Sequence, residues 1–413
     1  MRAVAAATVA LSIALGEIAR GQDWPQWGGP TRDFVVNAPP LARRWGAGGP
    51  KKLWSRELGA GHSSIVSDGS RLFTMYSRGG QEFVVALDRA SGKTLWEHAY
   101  DFVTTGLFLQ VEAIDVRGPH STPTVVGNLL IAVGTYGQLK AFDKQTGKIV
   151  WSRELWRELR GSRLERGYSG GPLAYKNLVI VPVGGPGQAL MAFEQRSGDL
   201  VWKAQTLRLS PSSPTLINVD GQDQVVLASA DHVSGIDPHN GTLLWQHAHP
   251  CGGFNITPPI WGRDNVLVIS SAYSCGTRAL RLKQLGGKTT VTELWFSTRL
   301  RVHHGTLLRI GDLIVGSSGN VGPAPLTAAD VRTGKIVWQD RAFPKANFVY
   351  ADGMLIVLDE DGQLALVRVA PEGISVLSRA QVLQGLAWTA PTLVGSNLYL
   401  RDRTTIAAFD LAR

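Results

Sequence analysis

Cysteine and methionine are scarce: two and four among 413 residues. Cys251 and Cys275 come without a CxxC pair or paired histidines, which argues against a zinc site. No HExxH and no EF-hand loop occurs, so two common metal signatures are missing. Gly92-Lys93-Thr94 and Gly287-Lys288-Thr289 lack the upstream glycine of a phosphate-binding loop. Acidic residues are outnumbered, 33 against 42 Lys+Arg, but the +9 excess is spread along the chain. Without a Lys/Arg block, a nucleic-acid partner is not expected. With 44% apolar and 18% charged residues, the chain is neither disordered nor fibrous.

Long apolar runs are also missing. Ala3 to Leu15 is the longest, too short for a stable membrane span. Arg2 precedes it, and Ala19-Arg20-Gly21 follows with small residues at the −3 and −1 positions. Residues 1–21 therefore read as a secretory signal, cleaved before Gln22. No cysteine follows the apolar run, so no lipid attachment is expected. A periplasmic or secreted address follows. There an even cysteine pair points to a disulfide between Cys251 and Cys275.

Tryptophan, by contrast, is abundant, with thirteen copies. Five follow one pattern: a small residue, any residue, an acid, then Gly four positions on and Trp four beyond that. Ala86 to Trp96, Ala141 to Trp151, Ala192 to Trp202, Gly235 to Trp245 and Ala328 to Trp338 are full copies. Ala279 to Trp295 is a weaker copy around a longer turn, and Leu364 to Ser378 has lost its tryptophan. From Trp54 to Trp338 the spacings are 42, 55, 51, 43, 50 and 43 residues. Repeats of this length built from short strands mean propeller blades. The acid can bind turn amides, and Gly takes the positive-φ position. A Ser/Thr-x-Pro signal, as in Ser121-Thr122-Pro123, marks the start of each innermost strand, where proline is tolerated.

Ala407-Ala408-Phe409-Asp410 is a front half without a tryptophan, and Lys51-Lys52-Leu53-Trp54 a back half without an acid. Joined, they make one blade from both ends, which removes two exposed edges. The expectation is an all-β fold: an eight-bladed propeller over residues 51–413, after an N-terminal extension over 22–50. A seven-bladed ring is the alternative if residues 340–380 form no blade.

Ala141 to Trp151, AFDKQTGKIVW, resembles the repeat of the PQQ-like (quinoprotein-like) β-propeller superfamily. Ala86 to Trp96 and Ala328 to Trp338 match equally well, and the opening Asp23 to Pro30 is similar to that of secreted bacterial members. The resemblance implies that Trp54, Trp96, Trp151, Trp202, Trp245, Trp295 and Trp338 dock onto neighbouring blades. Each would bury ~150–250 Å², a few kcal/mol by area. The superfamily holds dehydrogenases that bind pyrroloquinoline quinone with calcium, and non-enzymatic scaffolds of the BamB type. The adjacent-cysteine disulfide of the dehydrogenases is missing here, and their calcium-binding Glu and Asn and catalytic Asp find no matching positions.

Any site should lie on the face bearing the long connections between blades. Aligning the blades places His62, His120, Tyr168, Asn255, His304 and Trp388 around the channel mouth, with Asn347 slightly inside. Three histidines suggest a metal, but they come from blades one, two and six, so none is expected. Two connections are long, Glu97 to His120 and Ser152 to Tyr168. The second reads as a helix, and its Arg157, Arg160, Arg163 and Arg166 as a cationic rim for a partner. The functional expectation is a monomeric, non-catalytic module binding a protein, small molecule or glycan through this face. The alternative is a quinone-dependent dehydrogenase of alcohols or sugars, with pyrroloquinoline quinone and calcium.

Overall fold

The structure, a computed structural model, describes residues 23–100, 118–162, 164–320, 322 and 324–413. The signal call on residues 1–21 and most of the Glu97–His120 connection lie outside them. The chain forms eight sheets, each built on four antiparallel blade strands; seven blades use consecutive strands, and the eighth joins Lys51–Glu57 to the last three strands of the chain. This is the expected eight-bladed propeller. Residues 346–381 form a complete blade, Ala346–Ala351, Met354–Asp359, Gln363–Ala370 and Gly373–Gln381, which removes the seven-bladed alternative. Among the described residues no helix is long and apolar enough to cross a membrane.

The small residue and the tryptophan of each repeat are cross-strand partners. Ala86 faces Trp96, Ala141 faces Trp151, and Ala192 faces Trp202. In blade seven Leu366 faces Ser378 instead: the bulky and small positions have changed sides. A register shift marks this pairing in all eight blades, adding local twist. The acid closes each turn. Asp143 Oδ1 accepts from the Thr146 amide at 2.8 Å and from its hydroxyl at 2.8 Å.

Each indole then reaches the next blade. Trp96 Nε1 donates to Lys144 O at 3.0 Å, Trp151 to Gln195 O at 2.8 Å, and Trp295 to Val331 O at 2.8 Å. The rings lie over turn glycines. A Cβ on Gly147, whose φ is +72°, would sit 2.6 Å from the Trp96 ring, so the turn needs glycine for conformation and contact alike. Trp245 departs from the rule and donates to Gln224 Oε1 within its own blade at 2.7 Å. The next blade's outer hairpin, Gly276–Leu285 with Lys288–Ser297, is long and lacks the acid-to-glycine turn that would receive it.

Strand Lys51–Glu57 pairs antiparallel with Thr405–Asp410, closing the ring with both chain ends in one sheet. The segment ahead of it folds under the ring. Val35–Val36 runs parallel to Tyr350–Ala351, at the far end of an innermost strand. Ser67 N donates to Trp24 O, and Val125 N to Pro25 O, each at 2.7 Å. Buried Arg32 donates to Pro172 O and Pro214 O, both at 3.2 Å. Residues 24–36 thus touch five blades and close the channel opposite the long connections.

The expected helix after Ser152 is replaced by turns. Strand Ile149–Glu154 ends, and Gly161 N closes on Leu155 O at 2.8 Å. Arg160 has φ +54°, which ends right-handed winding. Leu155 and Tyr168 are drawn into one hydrophobic cluster between blades, so burial outweighs the helical i, i+4 pattern.

Candidate functional site

Innermost strands of a propeller begin at the face carrying the long connections, so residues just ahead of them converge on the axis. Here they enclose a cavity of about 670 Å³, within the ~300–1,000 Å³ of small-molecule sites. The plug supplies its lining at depth through Trp27. Polar positions such as Ser64, Thr122, Ser169 and Ser213 line it, from four successive blades.

Its wall is a chain of rings. His120 stacks on His62 with centroids 5.4 Å apart, and His62 lies 5.6 Å from Trp388. Trp388 is 4.7 Å from His304, which adjoins His303 at 5.1 Å. Tyr273 meets His303 at 5.3 Å and Phe254 at 5.0 Å. Phe254 is 43% and Tyr273 39% exposed, large rings left open at the mouth. Both sit beside the Cys251–Cys275 disulfide, whose Cα atoms are 5.4 Å apart. The staple joins two loops of one blade on this face.

His120, His303 and His304 are uncharged at neutral pH. Burial pushes His120 down to about 4, with the Arg166 guanidinium adding to the shift. Burial likewise lowers His303 to about 4, helped by Lys345 and Arg166. It holds His304 well below the usual range. Nδ1 of His120 and of His303 are buried without a hydrogen-bond partner. Lys345 is buried in the wall, its Nζ donating to Asn320 O at 3.0 Å and lying 5.1 Å from the Trp388 ring centre. Burial lowers its pKa. Glu360 accepts from Trp388 Nε1 at 2.9 Å.

Of the residues chosen from sequence, His62, His120, His304, Asn347 and Trp388 line this cavity, and Tyr168 and Asn255 do not. Tyr168 packs between blades, its hydroxyl donating to Val183 O at 3.2 Å. Asn255 is fully buried, donates to Ser229 O, and accepts from Ser271. Both anchor loops. Asn347 lines the cavity yet spends its amide on Thr306 and on Trp388 O. Of the arginines, Arg166 lines the cavity, Arg157 and Arg160 are exposed away from it, and Arg163 lies outside the described residues. With the helix gone, they form no single rim.

Sequence reading missed Trp27, Phe254, Tyr273, His303, Lys345 and Glu360. The His303-His304 doublet was the available signal. Gly167 to Gly171 also has the GxSxG spacing of a hydrolase nucleophile turn. Ser169, however, donates to Gly167 O at 3.3 Å and leads into an inner strand, without the strand–turn–helix setting that exposes a nucleophile.

Comparison with known proteins places this architecture. The family described as outer membrane protein assembly factor BamB matches residues 81–340, more than half of the chain. The chain belongs to this family of PQQ-like propellers. BamB of Moranella endobia (strain PCIT) is 24% identical over 300 residues, 68% of this chain and 72% of the relative. The dehydrogenase subunit of the quinone alcohol dehydrogenase of Gluconobacter oxydans (strain 621H) is 25% identical over 264 residues, 57% of this chain. The match spans only 33% of that relative's length. Among solved structures, BamB from Moraxella catarrhalis aligns with a TM-score of 0.61 at 19% identity, over 87% of this chain and 97% of that one. At that identity the likeness concerns the fold. The relatives' names thus include both an outer membrane protein assembly factor and a dehydrogenase subunit, and the fold does not choose between them.

Proposed function

We propose that this PQQ-like propeller is an exported binding module that holds a small-molecule ligand in the central cavity. The carrying observation is Trp27: the N-terminal segment turns an axial channel into a closed-ended cup lined by rings. The Cys251–Cys275 disulfide supports an oxidising compartment, in keeping with the leader read in residues 1–21. A thermal-shift screen of small molecules on the wild type and on Trp388→Ala tests this reading. Hits that stabilise the wild type and not the variant are expected. No hit from a broad library would sink it.

The Gluconobacter relative favours a second reading, a quinone-dependent dehydrogenase. The rings and cations of the cup suit a planar polyacid. The calcium partner fits poorly, because a hard cation needs several oxygen donors. Glu360 gives one oxygen to Trp388, and no cluster of three metal-ligating side chains occurs among the described residues. Reconstitution with pyrroloquinoline quinone and calcium, followed by a dye-linked alcohol assay, tests it. Turnover would replace the binding-module reading.

A further inference from the structure

Two cations line the cup without an ion pair among the described residues, although Glu360 on the same wall acts on Lys345 through space. Lys345 is 8% exposed. Its ammonium carries three donors, of which Asn320 O takes one, and no carboxylate reaches ion-pair distance among the described residues. Arg166, which also lines the cup, has neither an ion pair nor a side-chain hydrogen bond among the described residues. Arg208 on the same wall differs, being paired with Asp231 at 2.7 Å. An unpaired charge at a poorly solvated wall is costly until an anion joins it.

The remaining polar groups call for something other than a second anion. Lys345 keeps donors to spare beyond Asn320 O, and Glu360 has used one oxygen on Trp388 and can accept on the other. A carboxylate accepts only. Hydroxyl groups satisfy both kinds, since each donates and accepts. A fatty acid or aromatic acid would bury these groups unmatched, which costs about 1–3 kcal/mol each. The rings of Trp388, Tyr273 and Phe254 offer flat apolar faces on which the C–H face of a pyranose can rest.

Resting on the reading of the cup as a ligand site, we propose that its ligand is an acidic saccharide, a sugar ring bearing a carboxylate, held between Lys345 and Arg166 against the aromatic wall. The carboxylate pairs with the two cations. Ring hydroxyls meet the remaining donors of Lys345 and the free oxygen of Glu360. Trp27 sets the depth to which the sugar enters.

The test is a titration of the full protein with a uronic-acid disaccharide and with its carboxyl-reduced neutral counterpart. Calorimetry and tryptophan emission follow binding, since Trp27 and Trp388 line the cup. Binding of the acidic sugar at least tenfold tighter than the neutral one is expected. Lys345→Gln should abolish that preference and Arg166→Gln should reduce it severalfold, both variants keeping wild-type circular dichroism. The preference should also shrink as salt rises. Equal binding of the two sugars, or a preference that survives in a folded Lys345→Gln variant, overturns the proposal. If pyrroloquinoline quinone or another organic acid binds at the cup while neither sugar does, the saccharide assignment fails and the ligand site stands. If no compound binds, both fail.

Discussion

Trp54 faces Ala408 across the strand pair that joins the two ends of the chain. Its indole N–H continues into blade one, donating to Arg89 O at 3.0 Å. One residue therefore ties together the first strand, the last strand and the first complete blade.

Removal of the last strand, residues 405–413, is expected to open the ring. Strand Lys51–Glu57 would lose its partner and two blades would expose edges. Loss of a single cooperative urea transition checks this. Within the closed ring, Trp54→Ala should cost ~2–3 kcal/mol, because its indole is partly exposed. Trp151→Ala should cost ~3–5 kcal/mol, because that ring is 6% exposed.

Arg32 anchors the plug. Arg32→Ala leaves the carbonyls of Pro172 and Pro214 without their donor. Destabilisation of roughly 1.5–3 kcal/mol is expected, read by urea denaturation. Faster quenching of tryptophan emission by acrylamide should accompany it as Trp27 loosens. Unchanged quenching and stability would refute the plug's anchoring role.

The disulfide closes a loop with a sequence separation of 24. The double variant Cys251→Ser/Cys275→Ser should lose about 3 kcal/mol on the loop-entropy account. It should also free the loop carrying Phe254. Two reactive thiols in the denatured, unreduced wild type would contradict the pairing.

Acid should weaken the fold through its buried imidazoles. His120 and His303 titrate near 4 and His249 near 3, all lowered chiefly by burial. Between about pH 6.5 and those values the unfolded chain binds protons that the folded chain does not. Stability is thus full above the unfolded value and is lost as pH falls through this window. The melting temperature should decline from pH 6.5 to pH 4. His249→Gln should flatten the slope, and an unchanged slope in a folded variant would count against the assignment.

The propeller was legible because its signals are local. The acid and glycine of each turn lie within a few residues of one another, and the small residue pairs with the tryptophan of the same hairpin. The cup was legible in part. His62, His120, His304 and Trp388 hold equivalent positions ahead of innermost strands, so blade alignment finds them. Tyr168 and Asn255 share that alignment but turn into packing and hydrogen bonds, as burial dictated. Lys345, Glu360 and Tyr273 lie on connections with no repeat register, so no alignment could place them.

By itself, then, the amino-acid sequence determined eight hairpin-built blades, their indole contacts and the joining of both ends, since short-range turn chemistry and strand pairing suffice for these. Tertiary structure alone decided that residues 24–36 fold under the ring and that Trp27 limits the cup. It likewise decided that Lys345 and Arg166 line one cavity without an ion pair among the described residues. These contacts join segments far apart in the chain, and only ring closure brings them within reach.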